Sequence, residues 1–167
     1  METEFVVARL FHIVFGVFWA GSAMFMAVIL EPRLRALGPT IQGPVMAALT
    51  PILVPVMLIS ATITIVSGGY LTEKLWVDLD FFFDSGWGRA MIIGIVATAI
   101  AFASGITTSF QGKKMIRMGA TIQGRPPTPE EIGALTKQGA LLRLLGRTTA
   151  VFTLIAVGTM ASARFLI

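Results

Sequence analysis

The sequence has no cysteine and a single histidine. The first absence excludes disulfides, thiolate metal sites, iron–sulfur clusters and thiol catalysis. The second excludes a zinc site built from several histidines of one chain. Charge is scarce as well. Asp, Glu, Lys and Arg make up 13% of the 167 residues, about half the share of a soluble domain. No carboxylate lies in the middle of a long apolar run, so a proton relay has no parts to be built from. There is no phosphate-binding glycine loop, no nucleophile–base pair, and no internal repeat of the kind that builds inverted-repeat transporters. No catalytic residue stands out, and the chain reads as a binding or structural protein more readily than as an enzyme.

What the chain does have is apolar length. Hydrophobic residues make up 55% of it, and the mean hydropathy is +0.82. A hydrocarbon core of roughly 30 Å takes about 20 helical residues to cross. Four runs reach that length, at about 5–30, 45–71, 88–110 and 144–167. They predict an all-α, polytopic membrane protein: one domain, an antiparallel bundle of four transmembrane helices in the lipid bilayer. Residues 1–4 carry two acids and no basic group, so the first run reads as a retained helix, not a signal peptide. It is expected to end at Glu31-Pro32, because proline disfavours helix at its predecessor.

Lys and Arg set the orientation. Arg33, Arg35, Lys113, Lys114, Arg117, Arg125, Lys137, Arg143 and Arg147 fall on one side, against Arg9, Lys74, Arg89 and Arg164 on the other. Nine against four places the 31–44 and 111–143 connections in the cytoplasm and both termini outside, in the plasma membrane (the inner one of a bacterium). The net charge of +4 sits beside apolar runs, as membrane insertion requires, and does not suggest nucleic acid.

The outer connection mixes Trp76, Phe81, Phe82, Phe83 and Trp87 with Asp78, Asp80 and Asp84. The aromatics read as an interfacial belt. The acids read as solvated carboxylates, with a cation site at Asp78 and Asp80 as the alternative, although two acids two residues apart are unlike a calcium loop. In the inner connection Thr128 and Glu131 form a capping box with Pro129 at the first helical position. This predicts a short amphipathic cytoplasmic helix before the last span, with Ile132, Leu135 and Leu142 on one face, lying at the surface or running into the span. Ala97, Ala101 and Gly105 in the third span, and Gly158 and Ser162 in the fourth, make small-residue faces for close helix packing, within the chain or against another subunit. Thr62, Thr64 and Ser67 are expected to hydrogen-bond between helices, with the lining of a narrow path as the alternative.

An ionisable residue inside a membrane is a functional candidate by default, which singles out His12. Trp19 lies two turns on, and Gly16 and Gly21 flank that face, leaving room for a neighbouring helix or a flat cofactor. The bland alternative is that His12 simply hydrogen-bonds a backbone carbonyl or a hydroxyl. With spans alternating in direction, Met91 and Met160 fall at the depth of His12, and Arg9, Arg89 and Arg164 lie nearer the outer surface. Such a set could serve a haem: His12 as one axial ligand, a methionine or the His12 of a second copy as the other, and arginines on the propionates. His12 with methionines would also suit Cu(I). Methionines that simply fill apolar gaps, and arginines that snorkel at helix ends, would look the same.

At His12, Trp19 and Gly21 the first span resembles that of four-helix membrane proteins related to the copper resistance protein D domain and the membrane-type protoporphyrinogen oxidase. The closing stretch with Arg147, Met160 and Arg164 and the TPEE opening of the inner helix are similar to small, uncharacterised relatives of that group, the nearest match. The resemblance implies haem b on His12 in the oxidase branch and copper handling in the resistance branch, with Trp19 a packing residue. The chain lacks the enzyme's second histidine and third-span lysine. Three functions follow as expectations: a haem-binding, redox-associated membrane protein; a non-catalytic accessory subunit of a larger membrane complex or homo-oligomer, with no cofactor; and copper handling.

Overall fold

Polarity and proline decide where the helices stop, and they stop later than hydropathy alone predicts. The computed structural model describes residues 3–74, 83–122 and 124–166. Trp76, Asp78, Asp80, Phe81 and Phe82 of the outer connection, and the last residue of the fourth run, lie outside these. Helix α1 is Thr3–Phe25, followed by a π-helical turn, Met26–Leu30, and by α2, Glu31–Ala36. Helix α3 is Pro39–Lys74, α4 is Gly86–Thr121 and α5 is Pro129–Ala163. Counting α1 through α2 as one, four helices of 34 to 36 residues among the described residues are long and apolar enough to cross a membrane. At 1.5 Å per residue each measures roughly 50 Å, well beyond the hydrocarbon core.

The excess length has local causes. The third run was expected to close at 111–114, but α4 continues to Thr121. Gln111, Lys113, Lys114 and Arg117 are polar yet good helix formers, so the apolar slab ends there and the helix does not. The first run continues past Glu31-Pro32. Pro32 has no N–H to donate, and its ring would crowd the carbonyl four residues back. The π-turn relieves this, with the Glu31 N–H reaching Met26 five residues back. Gly38, at φ 87°, then ends α2 in a conformation that favours glycine.

The segment before the last span is not a separate helix, since α5 runs unbroken from Pro129 to Ala163. No proline follows Pro129, and the capping box starts the helix as expected. The Thr128 hydroxyl accepts from the Glu131 N–H at 3.3 Å, and Glu131 Oε2 accepts from the Thr128 N–H at 2.8 Å. The Arg125 guanidinium grips the same carboxylate at 2.9 and 2.5 Å. On this half of α5 Ile132 is exposed and the buried residue is Gln138. Its amide donates to the backbone and side-chain oxygens of Gln111 on α4 at 3.0 and 2.9 Å.

The bundle consists of two close pairs, α1 with α3 and α4 with α5, joined by contacts of α1 with α5 and of α3 with α4. Glu4 meets Tyr70, His12 meets Gly68, and Gly16 meets Thr64. Gly86 meets Leu166, Gly94 meets Met160, Ser104 meets Leu145, and Gln111 meets Gln138. In each series numbers fall on one helix as they rise on the other. The core is built of small residues: Ala61, Ala97 and Ala101 are 2%, 2% and 0% exposed. Large apolar side chains such as Val17, Ile52 and Val66 point outward, each more than 60% exposed. Small inside and large apolar outside is the pattern of a membrane protein, where helices associate by close backbone approach because lipid already solvates the large side chains. Ala101→Leu is therefore expected to overpack the core by about 1–3 kcal/mol. The unfolding temperature in detergent should fall by several degrees, and an unchanged temperature would mean that the helices do not meet there.

Among the described residues the hydroxyls of Thr62, Thr64 and Ser67 do not bond between helices. They donate to Leu58, Ser60 and Ile63 of their own helix at 2.8, 2.8 and 2.6 Å. Away from water, the carbonyl one turn back is the nearest acceptor.

Candidate functional site

Trp19 is 6% exposed and clusters with Ala61 of α3 and Ala101 of α4, with Met57, Phe102 and Phe152 against them. It is thus a packing residue at a level where all four spans meet. Seven residues toward the start of α1, about 10 Å, is the level of His12. The same count from Ala61, Ala101 and Phe152 reaches Gly68, Gly94 and Thr159, with Met160 next to Thr159. The contacts agree with this count. His12 lies on Gly68, where an added Cβ would stand 2.7 Å from its Cε1 and 2.9 Å from its Nδ1. Met160 and Thr159 lie on Gly94, where an added Cβ would meet Met160 Cγ at 2.8 Å and Thr159 Oγ1 at 3.0 Å.

His12 Nδ1 is 2.8 Å from the Thr64 carbonyl oxygen. A carbonyl can only accept, so Nδ1 carries the proton and donates it. In the neutral ring Nε2 then holds the free lone pair. Nε2 stands 3.8 Å from the position a Gly68 Cβ would take, farther from it than Cε1 or Nδ1. The bland hydrogen bond expected from the sequence is present, and it is the bond that orients a metal-ligating imidazole. Binding chemistry and structural satisfaction are compatible here.

The other expected residues are divided between the helix pairs. His12 contacts α3, whereas Met160 contacts α4; Met91 stands one turn beyond Gly94 and is half-buried. Arg9, one turn before His12, and Arg89 and Arg164 are exposed. Arg164 stacks 4.5 Å over the Phe165 ring. Among the described residues none of these three arginines has an acidic partner. Gly16 makes room for a helix, with an added Cβ 3.3 Å from Thr64 Cγ2, whereas Gly21 faces open space. Among the described residues no group of three or more His, Cys, Asp or Glu could hold a metal ion, so a metal at this level would draw on His12 alone among such ligands.

Neither Gly68 nor the Thr64 carbonyl stands out in the sequence. The depth count that pointed to the methionines would also have found Gly68, but a main-chain acceptor leaves no mark on residue type.

Fold and site together fit an integral membrane protein, a four-helix bundle with one histidine held inside a span. Comparison with protein-family models, with curated proteins and with solved structures yields no match.

Proposed function

We propose that the protein binds haem b through His12 Nε2, as a redox-associated, antiparallel four-helix protein of the plasma membrane. The observation that carries this reading is the Nδ1–H bond to the Thr64 carbonyl at 2.8 Å, which leaves Nε2 as the free donor. A bound haem supplies a one-electron couple. Arg9, without an acidic partner among the described residues and one turn from His12 on the same helix, would take a propionate, with Arg89 and Arg164 at the same end of the bundle. With Met160 packed into Gly94, the His12 of a second copy would be the further residue to hold the haem, in a homo-oligomer. The resemblance of the first span to the haem-binding group supports the same assignment.

The test is the visible spectrum and metal content of protein purified intact from its native membrane. A Soret band with reduced α and β bands is expected. Stoichiometric copper without them would move His12 and the methionines to copper handling. The absence of both would favour the accessory-subunit reading. That reading has an observation of its own: Gly158 and Ser162, one turn apart on α5, are exposed, and an added Cβ at Gly158 would touch nothing. Such a face suits a partner helix.

The opposed contact series of the two helix pairs support the antiparallel topology, and the Lys and Arg bias supports cytoplasmic 31–44 and 111–143 connections. Because the chain has no cysteine, single cysteines at Asp84 and Arg125 report directly. An impermeant thiol reagent on intact cells should label Asp84→Cys and spare Arg125→Cys. Labelling of both would defeat the topology.

A further inference from the structure

An open apolar groove of about 330 Å³ lies between the second half of α1 with its π-turn and the first half of α3. Gly21, Ser22, Met26 and Leu30 line one side, and Leu49 and Leu53 the other. It exists for local reasons. Gly21 contributes no side chain, and an added Cβ there would meet nothing within 4 Å. The π-turn forced by Pro32 widens the helix beside it. From Gly21 to Leu30 the groove runs about 14 Å along the helix axis. A slot of that length, lined by apolar side chains and open along its side, can take a stretch of one hydrocarbon chain.

The groove's polar end is charged. Arg33 follows Leu30 by three residues, one turn on and on the same side. Arg33 and Arg35 are both exposed, and among the described residues neither has an acidic partner. The intervening acid, Glu31, keeps its Oε1 buried. An apolar slot along the membrane normal, ending at a free guanidinium, matches an acyl chain joined to a negatively charged headgroup. We infer that this groove is a binding site for one anionic phospholipid, its chain between α1 and α3 and its phosphate on Arg33. Zwitterionic lipid fills the slot equally well but gains less from this guanidinium, so the site selects by headgroup.

The probe is intact protein in nanodiscs of mixed phosphatidylglycerol and phosphatidylcholine, with retained lipid counted by native mass spectrometry. Phosphatidylglycerol should be retained over phosphatidylcholine. Arg33→Gln should lower its retention about five-fold, the equivalent of one juxtamembrane basic residue. Gly21→Leu fills the slot from a position with no neighbour and should lower retention of both lipids, with helical content and unfolding temperature unchanged. Equal retention of the two lipids, or retention indifferent to Gly21→Leu, would overturn the site. A dimer that Gly21→Leu abolishes would reassign the groove to a second copy of the chain.

Discussion

His12→Ala is expected to remove the Soret band completely, and two companion variants separate the ligand from its support. His12→Gln keeps an N–H donor to reach the Thr64 carbonyl but has no lone-pair nitrogen. It should fold as the parent does and bind no haem. Gly68→Ala keeps the histidine but places a methyl 2.7 Å from Cε1 and 2.9 Å from Nδ1. Real carbon contacts do not approach so closely, so the ring must move and its bond to Thr64 must lengthen. Loss of such an orienting bond costs about 10–100-fold in affinity. The expected series is full binding, binding weakened by that factor in Gly68→Ala, and none in His12→Gln. A Soret band that survives His12→Gln would remove His12 from the reading, wherever the haem then lay. Equal binding in Gly68→Ala and the parent would show that the ring's position against α3 does not matter.

Trp19→Ala has the largest expected effect on the fold. Among the described residues Trp19 and Leu34 are the two large side chains that are apolar and buried, and of these Trp19 lies at the meeting of the four spans. In a soluble core the change costs about 3–5 kcal/mol, a transfer contribution plus a cavity contribution. Between a protein interior and lipid the transfer contribution shrinks, because both phases are apolar. The cavity and the lost dispersion contacts remain. The expected cost is therefore near the low end, about 3 kcal/mol, read from reversible unfolding in detergent or bicelles. Trp19→Phe leaves most of the ring volume in place and should cost less than half as much. A loss below about 1 kcal/mol in Trp19→Ala would mean that the neighbouring alanines collapse into the space.

Much of the architecture was legible because it depends on sums over neighbouring residues. Runs of about 20 apolar residues locate the spans wherever the chain later packs them. The capping box at Thr128 and Glu131 is equally local, a bond across one turn. The single histidine in the first span is visible in composition alone. The helix ends were less legible, since Lys113, Lys114 and Arg117 leave the hydrocarbon without leaving the helix.

Tertiary structure decided the facing directions. The sequence places small residues on α4 and α5 alike. The fold buries Ala97 and Ala101 and leaves Gly158 exposed. It turns the hydroxyls of α3 back onto their own helix and leaves the carbonyl of Thr64 to receive His12, 52 residues away in the chain. It also sets Met160 against Gly94, in the other helix pair. Hydropathy is a property of a segment and is nearly blind to rotation about the helix axis when every face is apolar. Which side of His12 meets a carbonyl, and which nitrogen is left free, depends on that rotation and on the helix packed against it.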